Sequence, residues 1–182
     1  HLSIDRATQA IAEELMQGKI GSVVAIEPKT GEILSMVSAP YWDPKELVGK
    51  ERSTNYQKLA DNKHKPLMNR ATQAQYSPGS TFKVLQALIG LQEKVITPNT
   101  QYVCNGSVSR PIRCTHSHGK YVDLEEGIEQ SCNPYFWMAY KTTLERDGYG
   151  ERNAKFKENY TLWREDILSF GLGPKWTDSD VI

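Results

Sequence analysis

Two groups of side chains in this sequence have types and spacings that could do chemistry. Ser80 and Lys83 stand three residues apart in Ser80-Thr81-Phe82-Lys83. On a helix that spacing puts both on one face, so the lysine amine can reach the serine hydroxyl. A serine hydroxyl is a weak nucleophile until a neighbouring base takes its proton. A lysine can be that base when burial and nearby positive charge hold it partly neutral. A helix beginning at Ser80 would also aim backbone N–H groups at an oxyanion formed on an acyl group carried by the serine. Alone the pair is a weak signal, because a capping serine followed by a surface lysine has the same spacing. The second group is Cys104, Cys114, His116, His118 and Cys132, which includes every cysteine. If the fold brings residues 104–118 against the turn at 131, three thiolates and one imidazole make a tetrahedral zinc site. With four protein ligands such a site is closed and therefore structural. The same residues also allow a Cys104–Cys114 disulfide with Cys132 as a small buried thiol, or three free buried thiols.

The elements that must position these groups follow from the patterning. Asp5 reads as an N-cap for an amphipathic helix over 6–17 with Ala7, Ile11 and Leu15 on one face. Residues 22–27 and 32–38 are strand-like runs joined by Pro28-Lys29-Thr30-Gly31, which predicts an N-terminal antiparallel hairpin. Residues 40–66 are polar and interrupted by Pro40, Pro44 and Pro66, and read as a surface excursion rather than a core element. Ser77-Pro78-Gly79-Ser80 should cap a buried helix over 81–92, with Phe82, Leu85, Leu88, Ile89 and Leu91 as its apolar face. Residues 95–122 form an irregular loop that holds two of the cysteines. Helices are expected over 124–130, 134–144 and 160–170, the last closed by Gly171-Leu172-Gly173-Pro174. Tyr135, Phe136, Trp137, Tyr140 and Trp163 fit helix packing better than a ligand cage. The fold class is α+β, helix-rich after residue 77.

Composition narrows the partners. The 22 basic residues balance 22 acidic ones, so there is no electrostatic reason to expect nucleic acid or a charged membrane surface. No apolar run approaches the ~18 residues of a membrane span, and the first residues lack the pattern of a signal peptide. Any export signal or anchor is expected upstream.

Asn69-Arg70-Ala71, then Tyr76-Ser77-Pro78-Gly79-Ser80-Thr81-Phe82-Lys83, then Ser131-Cys132-Asn133, resembles the transpeptidase domain of penicillin-binding proteins, whose first two motifs are Ser-x-x-Lys and Ser-x-Asn. Residues 24–37 look like that family's first hairpin, and Phe170-Gly171-Leu172-Gly173 like a segment after its second motif. The likeness is to the class B, elongation-specific type and runs over essentially all of 1–182. It implies the helix-rich part of a penicillin-binding, β-lactamase-like fold. It implies that Ser80 is acylated by the D-Ala-D-Ala end of a peptidoglycan stem peptide, or by a β-lactam. Lys83 would accept the serine proton, Ser131 would relay a proton to the leaving amine, and Asn133 would orient Lys83 and bind the substrate amide. It also implies a structural Zn2+ beside the second motif, with His118, followed by Gly119, matching the family better than His116. The metal set would then be Cys104, Cys114, His118 and Cys132.

The resemblance further implies a periplasmic protein anchored to the cytoplasmic membrane by a segment outside this chain, with cell-wall elongation proteins among its partners. The family's third motif, Lys-Thr-Gly, follows the second. Here those letters occur only at Lys29-Thr30-Gly31, where a hairpin turn is the better reading. A partial domain lacking the third motif, inactive alone, is the expectation. The alternatives are a β-lactam sensor or β-lactamase-like domain, or a non-catalytic, zinc-stabilised interaction module.

Overall fold

Asp5 starts the first helix, α1 (Arg6–Leu15), by accepting the Thr8 N–H on its carboxylate at 2.8 Å, which satisfies one of the amides a helix start leaves without a partner. The structure, a computed structural model, describes residues 2–148 and 154–173. Its chain divides into two compact units, His1–Tyr76 and Ser77–Ile182.

In the first unit β1 (Gly21–Ile26) and β2 (Ile33–Ala39) pair antiparallel, with a register shift between Ala25 and Ile26. The expected hairpin is present, and Lys29-Thr30-Gly31 lies in its turn: Glu27 Oε1 accepts the Lys29 N–H, and Gly31 takes the left-handed conformation with φ 76°. Helix α1 lies on β2, but not by the expected face. Ala12 is its buried residue, whereas Ile11 and Leu15 are 59% and 61% exposed. The difference comes from Gln9, whose amide accepts the Met36 N–H and donates to the Met36 carbonyl, so hydrogen bonding to the strand sets the rotation of the helix.

The 40–66 segment holds a 3-10 turn (Pro44–Leu47) and a helix, α2 (Arg52–Ala60), neither burying a residue. A short helix, α3 (Arg70–Gln73), follows, capped by Asn69. Arg70 is buried, and its guanidinium donates to the carbonyls of His64 and Lys65.

In the second unit a 3-10 turn (Gly79–Thr81) leads into α4 (Phe82–Gln92). Neither Ser77 nor Ser80 caps α4, because Gly79 in the left-handed region (φ 62°) inserts a tighter turn first. Gln86, Ala87, Ile89 and Gly90 are the buried positions of α4, and Leu88 is 48% exposed. Gln86 is inside because Trp163 Nε1 donates to its Oε1 at 2.8 Å. The 95–122 loop is pinned by a two-residue ladder between β3 (Tyr102–Val103) and β4 (Tyr121–Val122). Helices α5 (Leu124–Glu129), α6 (Asn133–Glu145) and α7 (Ala154–Ser169) complete the unit. Pro174, expected after the last helix, lies outside the described residues. The core joins Ala87, Ile96, Val122, Leu124, Tyr135, Phe136 and Ala139 to all three cysteines. Four of the aromatics expected in packing make ring contacts: Trp163 meets the rings of Phe82, Tyr140 and Tyr160, and Tyr135 lies edge-on to Tyr102 and Phe136, whereas Trp137 is half-buried with Lys141 Nζ 5.6 Å from its ring centre. Short antiparallel sheets together with these helices make this an α+β chain.

Candidate active site

Helix α5 ends in a Schellman motif, and that ending builds the site. The Ser131 N–H donates to the Ile128 carbonyl at 3.1 Å and the Cys132 N–H to the Gly127 carbonyl at 2.9 Å. The pattern requires a left-handed residue at the position of Ser131, which has φ 50°. Glycine is the usual occupant; a serine held there is strained by roughly 1–2 kcal/mol. Cys132 then becomes the N-cap residue of α6, with a proline in the first turn of that helix.

The turn presents three acceptors to one donor. Lys83 Nζ donates to the Ser131 carbonyl at 2.6 Å, to Ser131 Oγ at 2.9 Å and to Asn133 Oδ1 at 2.6 Å. The ammonium also lies 5.8 Å from the centre of the Phe136 ring. Burial holds the Lys83 amine below the usual lysine value, against the opposing charge interactions with Cys132 and Cys114. A half-buried amine with a lowered pKa and a fixed direction is what a general base requires. Ser80 sits one helical turn before it, exposed, in the 3-10 turn that leads into α4. Among the described residues no hydrogen bond joins Ser80 Oγ to Lys83. The amine is turned toward residues 131–133, where a hydroxyl and an amide oxygen hold it.

Behind the turn lies the cysteine cluster. Cys104, Cys114, His118 and Cys132 each offer one ligand atom, and these four atoms lie within 4.8 Å of one another. All three cysteines are free and buried, so Cys104 and Cys114 are not joined as a disulfide. His118 Nδ1 donates to the Gly119 carbonyl at 2.9 Å, which turns Nε2 toward Cys114 Sγ at 3.2 Å; burial works to lower the His118 pKa, but the hydrogen bonds to Gly119 and Cys114 and the charges of Cys114 and Glu126 outweigh it and raise it. The Gly119 N–H is in turn held by Glu126 Oε1 at 3.3 Å. Burial raises the Cys132 thiol. Burial also works to raise Cys114, but hydrogen bonds from the His116 backbone, the His118 ring, the Asn133 backbone and Cys104 outweigh it and bring that thiol down. These donors fit a soft divalent metal, three thiolates and an imidazole that can converge on one centre. His116 is not part of the set; its Nδ1 lies 3.4 Å from Thr115 Oγ1.

The structure thus gathers Lys83, Ser131 and Asn133 at one point, and Cys104, Cys114, His118 and Cys132 at a second point beside it. Sequence reasoning missed two supports. The Arg113 carbonyl accepts from Asn133 Nδ2 at 3.2 Å, and Glu126 steadies the loop carrying His118. A backbone acceptor leaves no trace in residue type, and only the acidic residue one turn into α5 hinted at Glu126.

A model of the penicillin binding protein transpeptidase domain matches residues 21–177. The peptidoglycan D,D-transpeptidase MrdA of Acinetobacter baumannii is 36% identical over 146 residues, which is 76% of this chain and 21% of that protein. The peptidoglycan D,D-transpeptidase PbpA of Mycolicibacterium smegmatis is 38% identical over 128 residues, 64% of this chain and 26% of that protein. Among solved structures, Pseudomonas aeruginosa PBP2 in complex with WCK 5153 matches with a TM-score of 0.67 and 35% identity, over 78% of this chain and 32% of that one. The imipenem acyl-enzyme complex of penicillin-binding protein A from M. tuberculosis matches with a TM-score of 0.67 and 31% identity, over 77% of this chain and 36% of that one. The chain spans about a fifth to a third of the length of the curated relatives it matches.

Proposed function

This chain belongs to the penicillin-binding protein transpeptidase family, and on that premise we propose that its full-length protein is an acyl-serine D,D-transpeptidase of peptidoglycan crosslinking and a target of β-lactams. The observation that carries the reading is the Lys83 amine, depressed by burial and held by Ser131 Oγ and Asn133 Oδ1 one helical turn after Ser80.

In this reading neutral Lys83 takes the Ser80 hydroxyl proton as Oγ bonds to the carbonyl carbon of the penultimate D-Ala. The tetrahedral oxyanion collapses, the bond to the terminal D-Ala nitrogen breaks, and Ser131 passes a proton to the leaving amine. An ester remains on Ser80. An amine of a neighbouring stem peptide attacks that ester, loses its proton to the same base system, and Ser80 regains its hydroxyl. Asn133 keeps the Lys83 amine aimed and binds a substrate amide. A β-lactam enters by the same attack, its ring nitrogen standing in for the leaving amine.

The Cys104, Cys114, His118 and Cys132 cluster is proposed to hold a structural Zn2+. Convergent thiol and imidazole donors support it, as does the bond from His118 Nδ1 to the Gly119 carbonyl, which turns Nε2 toward the three thiols. When bound, the metal supplies cross-links between the loop and the turn rather than chemistry, since four protein ligands leave no open position. The substrate would place the full-length protein on the outer face of the cytoplasmic membrane, with cell-wall elongation proteins as partners. No helix among the described residues is long and apolar enough to cross a membrane.

The test is incubation of the full-length protein with a fluorescent penicillin. A covalent adduct that disappears in Ser80→Ala is expected; no adduct, or one that survives the substitution, overturns the reading.

A further inference from the structure

Asn133 is held from both ends of its amide, and the two holders leave it one orientation. As an ammonium Lys83 Nζ can only donate, and the atom 2.6 Å from it is then Oδ1. The Arg113 carbonyl can only accept, so the atom 3.2 Å from it must be Nδ2. Turning the amide over would set a donor against the ammonium and an acceptor against the carbonyl.

Arg113 stands at the root of the loop that carries Cys114 and His118. That root is fixed by its own backbone, because the Cys114 N–H donates to the Gly106 carbonyl at 3.1 Å and the Cys104 N–H to the Lys120 carbonyl at 2.8 Å. The Arg113 side chain is exposed, so the group that reaches the site is the main-chain carbonyl. We infer that this carbonyl is a positioning group: through Asn133 it sets the direction of the Lys83 amine, and it ties that direction to the state of the cysteine loop.

The inference rests on the reading of Lys83 as the base for Ser80. It goes beyond a metal that merely braces the turn. Any change that shifts Cys114, whether loss of a ligand or modification of the thiol, moves the neighbouring carbonyl and releases Nδ2. Asn133 is then free to rotate, and Lys83 loses one of its three acceptors while the two on Ser131 remain.

In the unmodified, isotope-labelled chain, a scalar coupling across the hydrogen bond between Asn133 Nδ2 and the Arg113 carbonyl carbon is expected. A folded chain with a resolved Asn133 amide and no such coupling overturns the proposal. In Cys114→Ser the Asn133 side-chain protons should exchange with water at least about tenfold faster while the α4 and α6 backbone resonances stay in place. Unchanged Asn133 exchange in a variant whose residues 113–118 have become fast-exchanging also overturns it, since the carbonyl would not be what holds the amide. If Cys114→Ser does not fold, the coupling in the unmodified chain decides.

In the full-length protein the same substitution should lower the acylation rate constant by about 10–100-fold, a larger loss than in pre-covalent β-lactam binding, to which the Asn133 amide also contributes. An equal loss in both refutes a positioning role. A coupling found in a protein that never acylates at Ser80 removes the transpeptidase reading. A coupling missing from a protein that does acylate removes only the role of Arg113.

Discussion

Replacing Gly127 by alanine presses on the turn that holds the proposed second motif, and the structure gives the size of the effect. A Cβ at Gly127 would lie 2.9 Å from Cδ1 and 3.0 Å from Cγ of Tyr135, against an ordinary contact of 3.4–4 Å. Tyr135 has no accessible surface, and the rings of Tyr102 and Phe136 stand 5.2 Å and 5.3 Å from it, so the phenol cannot swing away. Relief must come from the backbone of α5 or α6. Overpacking of this kind costs about 1–3 kcal/mol. The alanine returns up to about 1 kcal/mol in helix propensity. Strain therefore wins by about 1 kcal/mol, which lowers Tm by roughly 2–4 °C for a chain of this size. Thermal unfolding followed by circular dichroism measures it. Tyr135→Leu supplies the partner of a double-mutant cycle: with the ring gone, Gly127→Ala should become neutral or stabilising. A Tm that holds or rises in the single variant, or equal effects of Gly127→Ala in both backgrounds, refutes the packing argument. Because the Cys132 N–H donates to the Gly127 carbonyl, the single variant should also slow acylation of the full-length protein.

Acylation by a β-lactam should rise with pH, with a midpoint below the usual lysine range, since burial disfavours the Lys83 ammonium and the neutral amine is the base; a flat profile through the alkaline range would exclude it. By linkage, the unfolded chain binds more protons at Lys83 between its lowered folded value and 10.5, so stability from this residue rises with pH across that window and is least below it. Metal analysis of protein purified without added zinc should find about one ion per chain. Chelation or acidification should remove it and lower Tm, because all three thiols must lose protons to bind; a ratio near zero refutes the site. Tyr135→Phe should leave Tm unchanged or raise it, because the hydroxyl is buried with no hydrogen-bond partner among the described residues and its desolvation costs about 1–3 kcal/mol. A clear fall in Tm would show that the hydroxyl is satisfied after all.

Much of the site was readable from residue types because its parts are either local or chemically unusual. Ser80 and Lys83 are three apart, Asn133-Pro134 opens a helix, and three cysteines with one histidine have few common uses. What escaped was backbone work at long range. Nothing in the letters says that Ser131 must be left-handed, since Schellman motifs are recognised by glycine and this one lacks it. Nor does residue type show that the Arg113 carbonyl would meet Asn133 across twenty residues. The apolar face of α1 was misjudged for a related reason: Ile11 and Leu15 form a regular stripe, yet Gln9, a polar residue, docks the helix by hydrogen bonds to the Met36 backbone. Helix α2 escaped because Arg52–Ala60 buries nothing and so carries no periodic signal.

The left-handed serine has a consequence for how this protein can be improved. Glycine at 131 would relieve the backbone strain, so any search for heat-resistant variants that scores folding alone is drawn toward Ser131→Gly. That change deletes the hydroxyl that Lys83 binds and that the proposed proton relay uses. Position 131 is thus a point where thermal selection and the proposed acyl-transfer chemistry pull in opposite directions. A population grown under β-lactam and under heat should separate at this residue.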